Sequence, residues 1–84
     1  MPETPDADRR WIKAGEDPLR FEYGRENETP GAPPITDQLA FVEEERHSSY
    51  FHWETYTSHE KGAKPSKKEA QTAAMEALEQ AGDL

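Results

Sequence analysis

The three histidines are the side chains of this sequence best suited to metal binding or acid–base chemistry. They are His47, His52 and His59, and none of them lies at the i, i+3 or i, i+4 spacing that places two ligands side by side on a helix. A protein-bound metal needs three or four converging ligands, and the chain has no cysteine to join the histidines. We therefore expect ordinary surface histidines, no metal site and no cofactor.

The serines do not indicate a nucleophile either. None of Ser48, Ser49, Ser58 and Ser66 lies in the glycine-flanked turn that exposes a nucleophilic serine. The chain also lacks a glycine-rich phosphate loop, and its many carboxylates show no pairing suited to acid–base work. The sequence therefore predicts a protein that is not an enzyme and has no catalytic residues.

Acidic and aromatic residues cluster in the middle of the chain. The run Glu43-Glu44-Glu45 precedes an aromatic segment at 50–57, and an uncovered strand face of tyrosine and histidine suits protein recognition. A purely structural interpretation also remains open. In it the glutamates form a solvated edge of the sheet, and the aromatic residues form a core with tyrosines at its border. The residues predicted to bind a partner are Glu43, Glu44, Glu45, Tyr50, His52, Glu54 and Tyr56.

The net charge of −8, from 18 acidic and 10 basic residues, bounds the choice of partner. A field of this sign repels nucleic-acid backbones and attracts basic surfaces. In size and acidity the chain is similar to small phage inhibitors of the anti-CRISPR type, a resemblance of composition that implies a nucleic-acid mimic. The first functional hypothesis is accordingly a non-catalytic interaction protein that docks on a basic, nucleic-acid-binding protein surface and inhibits it.

Four lysines within residues 61–68 oppose this acidic character. They are Lys61, Lys64, Lys67 and Lys68, and the last two fall in the first turn of a predicted helix. Cations there act against the helix dipole by about 0.3–1 kcal/mol each unless an anion binds. These lysines are the candidate anion-binding residues of the chain.

The segment 62–71 reads Gly-Ala-Lys-Pro-Ser-Lys-Lys-Glu-Ala-Gln. With the rest of residues 50–81 it resembles the C-terminal half of double-stranded-RNA-binding domains, in which a strand leads into a Ser-Lys-Lys helix start and an alanine-rich helix. The resemblance implies that Lys67 and Lys68 contact RNA phosphates, although Gln71 replaces the third basic residue of the pattern. The alternative hypothesis is therefore a divergent duplex-RNA-binding module.

The helix that carries these lysines has clear start and stop signals. Ser66 is a suitable N-cap with Glu69 three residues later, and Gly82 suits the position just after the last turn. These signals predict a helix over residues 67–81. One side of it bears an apolar stripe that should lie across a sheet, formed by Ala70, Ala73, Ala74, Ala77, Leu78 and Ala81.

The strands are indicated by alternation and by turn residues. Residues 19–23 alternate apolar and charged side chains, residues 10–14 suit a shorter strand with Trp11 and Ile12 on opposite faces, and residues 50–57 are rich in strand formers. Residues 38–45 suit a strand better than a helix, with a turn at 46–49. The fold class expected is α+β, a three- or four-stranded, mainly antiparallel sheet packed on one C-terminal helix.

Length and composition set the domain organisation. A chain of 84 residues holds one compact core, so we expect a disordered tail at 1–8 and a single domain at 9–84 with a long Pro/Gly-rich loop at 24–36. The absence of cysteine, of an apolar leader-like stretch and of a membrane-length apolar run predicts a soluble, cytoplasmic protein without membrane contact.

Overall fold

A computed structural model describes residues 9–83, so the tail predicted at 1–8 lies outside the described residues. It contains five strands and one helix, and the strands form a single antiparallel sheet in the order β1-β2-β3-β4-β5. The elements are β1 Arg10–Glu16, β2 Leu19–Glu26, β3 Ile35–Glu44, β4 Phe51–Thr55, β5 Lys61–Lys64 and α1 Lys67–Gln80. The α+β class is confirmed, whereas the expected number of strands was too low.

β5 is the strand that makes the sheet five-stranded. Its sequence, Lys-Gly-Ala-Lys, has no apolar alternation that would predict a strand. It is a strand because its backbone pairs with β4. Two hydrogen bonds close the hairpin, from Thr55 N–H to the Glu60 carbonyl (2.8 Å) and from Glu60 N–H to Thr55 Oγ1 (3.0 Å). A Cβ on Gly62 would lie 2.9 Å from Trp53 Nε1. Glycine is therefore needed where the indole covers β5.

Residues 38–45, for which a helix was the alternative, belong almost entirely to the strand β3. The pairing of β3 with β2 is irregular near its start. Tyr23 pairs with Ala40 but Arg25 pairs with Thr36, so three residues of β3 face the single Gly24 in a bulge. A Cβ on Gly24 would lie 2.8 Å from the Thr36 carbonyl oxygen. Because both β2 and β3 extend beyond the predicted strands, the Pro/Gly-rich connection between them spans only residues 27–34.

α1 begins and ends close to the predicted residues. The Ser66 side chain accepts the Glu69 N–H at 3.2 Å, which confirms the N-cap. At the other end Gly82 has φ of 80° and donates to the Glu79 carbonyl, while Asp83 donates to the Leu78 carbonyl. This Schellman arrangement ends the helix one residue earlier than expected.

The core lies between α1 and the sheet face formed by β3, β4 and β5. Ala70, Ala74 and Leu78 of the helix are fully buried, because alanines let the helix backbone approach the sheet closely. Ala81, predicted on the same stripe, is exposed, because it is the C-cap and α1 ends at Gln80. No helix in the described part of the chain is long and apolar enough to cross a membrane.

The register assigns the side chains to two faces of the sheet. Cross-strand partners point to the same side, so the side that α1 packs on, called the covered face, carries the row Trp11, Tyr23, Ala40 and Thr55. The opposite side, called the open face, carries two rows of side chains. One row is Ile12, Glu22, Phe41, Glu54 and Lys61, and the other is Arg20, Glu43, His52 and Ala63.

Candidate partner-binding site

Phe41 stands at the centre of the open face. Strand alternation sends its neighbours Ala40 and Val42 into the core, both fully buried, and leaves the Phe41 ring half-buried on the other side. The Tyr56 ring lies 5.6 Å from it and the His52 ring 5.8 Å, both tilted. These three rings form an aromatic surface in the middle of a face that is otherwise mostly charged.

Arg20 lies over the Phe41 ring, with its guanidinium carbon 4.1 Å from the ring centroid. Its Nη1 donates a hydrogen bond to Glu43, its Nε lies 3.5 Å from Glu22 Oε2, and its Nη2 donates to the Tyr56 hydroxyl at 3.2 Å. Burial alone would lower the pKa of Arg20, but the hydrogen bond to Glu43 and the interactions with Tyr56 and Glu22 raise it. The open face therefore holds a guanidinium between an aromatic ring and carboxylates.

Tyr56 completes this network from the end of β4. Its hydroxyl donates to Glu22 Oε1 at 2.8 Å. Partial burial raises the pKa of Tyr56 to about 12, together with the hydrogen bond and the charge of Glu22, against the opposing effect of Arg20. Tyr56 thus stays protonated and donates to Glu22 at neutral pH, which connects the end of β4 with β2.

His52 extends the network toward β5. Its Nε2 lies 3.3 Å from Glu54 Oε1, two residues along the same strand. Glu43 is its cross-strand neighbour on β3. The imidazole therefore lies between two carboxylates and against the Phe41 ring.

Beside this network lies a cavity of about 420 Å³. Six residues line it, Phe41, Glu43, Glu44, Glu45, Arg46 and His52. The β3–β4 turn shapes one end, because Ser48 Oγ donates to Glu45 Oε1 at 2.8 Å and accepts the Tyr50 N–H at 3.2 Å. Glu43 and Glu45 thus line this space together with the Phe41 and His52 rings, whereas the register directs the Glu44 side chain to the covered face, beside Phe51.

The structure brings most of the predicted partner-binding residues to this region. Glu43, His52, Glu54 and Tyr56 belong to the network around Phe41. Glu45 lines the adjoining cavity, and the Glu44 side chain is directed to the covered face. Tyr50 is not part of this group, because it lies in the turn before β4 and is 46% exposed.

Sequence reasoning missed three residues of the site, Phe41, Arg20 and Glu22. The charged positions of the alternating segment 19–23 pointed to a polar strand face, and that signal could have identified Arg20 and Glu22. Placing Phe41 on the same face required the pairing of β2 with β3, which alternation within one segment does not contain.

The predicted anion-binding lysines do not share one surface. Lys61 pairs in register with Glu54 on the open face, and Lys64 pairs with Phe51 on the covered face. The Lys67 ammonium lies 4.7 Å from the centroid of the Phe21 ring. A cation–π contact thus accounts for one of the two lysines in the first helical turn.

Lys64 and Lys68 meet in a groove of about 450 Å³ between β5 and the outer side of α1. Glu69 and Glu76 line the same groove, so its charge is mixed. This arrangement offers a phosphate two cations together with two repelling carboxylates.

Among residues 9–83, no three histidine, aspartate or glutamate side chains form a group that could hold a metal ion. Comparisons with protein-family models, with curated proteins and with solved structures found no match to this chain.

Proposed function

We propose that this chain is a non-catalytic interaction protein that binds a basic surface of another protein through the open face and thereby blocks that surface. The cavity beside Phe41 carries the proposal, because its lining combines the aromatic rings of Phe41 and His52 with the acidic residues Glu43 and Glu45. This combination is the chemistry that receives arginine and lysine side chains.

Arg20 supports this interpretation from within the chain. Its guanidinium contacts Phe41 and Glu43, two residues that also line the cavity. A partner's arginine that enters the cavity would find Glu45, which is not among the ion-pair partners of Arg20. The contact of Arg20 with Phe41 and Glu43 within the chain is thus an example of the contact that we propose for a partner's arginine.

Affinity must come from several such contacts acting together. A single exposed ion pair contributes about 0.2–1 kcal/mol and an exposed cation–π contact about 0.5–1 kcal/mol. The partner should therefore present a patch of arginines and lysines, as nucleic-acid-binding surfaces do. The net charge of −8 would speed the encounter with such a patch, and the speed would fall as salt screens the field.

Two charge-matched variants test the proposal. The site variant carries Glu44→Lys and Glu45→Lys, and leaves Glu43 intact because Arg20 depends on it. The control carries Glu76→Lys and Glu79→Lys on the exposed side of α1. Each variant raises the net charge by four. Proteins captured from the native host by the wild type are then compared quantitatively with those captured by each variant.

The expected result is a protein with a basic surface that the wild type and the control retain and the site variant loses. Binding of the purified partner should weaken with added salt, and the bound chain should protect the amides of β3 and β4 from hydrogen exchange. Equal losses with both variants would show that capture depends on net charge alone, and the proposed site would be wrong.

A further inference from the structure

α1 covers only part of the covered face, and no second helix in the described part of the chain covers the rest. It packs chiefly on β3, β4 and β5, and it is the only helix in the described part of the chain. Five strands about 4.8 Å apart span about 19 Å, whereas a helix with its side chains is about 10 Å wide. A strip over β1 and the outer part of β2, about one helix in width, therefore remains alongside α1, whose Ala74 and Leu78 already pack on Tyr23.

The floor of this strip is aromatic. It consists of Trp11, Phe21 and Tyr23, and we call these three residues with Lys13 the side strip. The Trp11 and Tyr23 rings are tilted at a centroid distance of 5.4 Å, and Met75 of α1 packs, like Trp11, against the core cluster that contains Tyr23. Tyr23 is 8% exposed, while Trp11 and Phe21 keep part of their surface in solvent.

The margins of the side strip are basic, in contrast to the chain as a whole. On one margin the Lys67 ammonium lies over the Phe21 ring at 4.7 Å. On the other, Lys13 is the cross-strand neighbour of Phe21 and contacts the exposed carboxylate of Glu16 at 2.8 Å. Two cations therefore border an apolar floor, a pattern that complements an apolar surface flanked by carboxylates.

We propose that the side strip binds an amphipathic α-helix of a partner protein, whose apolar face covers Trp11 and Phe21 and whose acidic side chains reach Lys13 and Lys67. The occupant is helical because the floor of a sheet offers side chains rather than free backbone groups, and because the strip is one helix wide. It is acidic because both margins are cationic. The surface lies on the face of the sheet opposite the Phe41 cavity and prefers the opposite charge, so it is independent of the function proposed above.

Two synthetic helical peptides test this inference with the full chain. Both carry leucine and alanine on one face, and the other face is glutamate in the first peptide and lysine in the second. In two-dimensional NMR spectra the acidic peptide should shift the Trp11 indole, the Phe21 amide and the Met75 methyl resonances, without shifting Phe41. The lysine peptide should leave the side strip unchanged.

Charge-reversal variants then test the role of the two lysines. Lys13→Glu with Lys67→Glu should weaken binding of the acidic peptide by about tenfold or more, as expected when two ion pairs are lost and reversed. The control, Lys64→Glu with Lys68→Glu, makes the same charge change in the groove on the other flank of α1 and should leave the affinity unchanged. Thermal unfolding of each variant shows that it is folded.

Three results would overturn the inference. Equal binding of both peptides would remove the charge argument, and shifts confined to the open face would place the peptide elsewhere. Shifts of Trp11 and Met75 on simple dilution of the protein, without peptide, would show that a second copy of the chain covers the strip.

Discussion

Replacing Tyr56 by phenylalanine should abolish a pH-dependent contribution to stability that the open-face network creates. The folded state raises the pKa of Tyr56 from its ordinary 10.0 to about 12, through burial first and then through Glu22. A pKa that is higher in the folded state means that the proton stabilises folding. This contribution is complete below about pH 10 and is lost as the pH rises from about 10 to about 12.

The size of this contribution to stability follows from the change in the pKa of Tyr56 and from the exposed fraction of its side chain. A pKa raised from 10.0 to about 12 corresponds to about 2.7 kcal/mol, but Tyr56 is 37% exposed. Solvent screening should reduce the contribution to about 1 kcal/mol. The stability of the wild type relative to Tyr56→Phe should therefore fall by about 1 kcal/mol as the pH rises from about 10 to about 12.

Urea unfolding of both proteins across this pH range measures the free energy of unfolding, and tyrosinate absorbance measures the titration directly. Glu22→Gln should lower the pKa of Tyr56 without returning it fully to 10, because burial, the larger cause, remains. Tyr50→Phe is the matched control, since it removes a hydroxyl outside this network, and it should preserve the alkaline loss of stability. A difference between wild type and Tyr56→Phe that stays constant across the pH range would refute the reasoning.

The remaining predictions concern the fold and the lysines. Gly24→Ala should destabilise the protein by about 1–3 kcal/mol in urea unfolding, because its methyl group would press on the Thr36 carbonyl oxygen 2.8 Å away. Leu78→Ala should cost about 2–5 kcal/mol, as expected for a fully buried leucine; a smaller loss would show that the contact between α1 and the sheet is loose. Duplex RNA should give no mobility shift at moderate salt, since Lys64 and Lys68 share their groove with two glutamates; a shift lost on alanine substitution of both lysines would restore the RNA-binding alternative.

The parts of the fold that were predictable from sequence are those whose signals are local. The cap at Ser66, the C-terminal Gly82 and the alanine spacing define α1 within a single stretch of chain. The alternation at 19–23 likewise identified β2. In both elements the physical reason for the helix or strand lies in residues that are close together in the sequence.

β5 and the site needed contacts between distant residues. β5 is a strand because β4 pairs with it and because Gly62 makes room for the Trp53 indole, and neither reason is visible in Lys-Gly-Ala-Lys. Glu43, His52 and Glu54 were predicted as a recognition surface, but their arrangement around Phe41 and Arg20 follows from the register of β2, β3 and β4. A shift of one residue in that register would turn Phe41 into the core.

The sequence by itself thus determined a capped helix, the separate strands β1 to β4 and an acidic chain with a local group of lysines, since capping, alternation and charge are properties of nearby residues. Only the tertiary structure decided the fifth strand, the faces of the sheet and the place of each charge. The lysines show this most clearly: adjacent in sequence, they are divided among the open face, the β5 groove and the Phe21 ring, because strand pairing and helix packing direct neighbouring side chains to different surfaces.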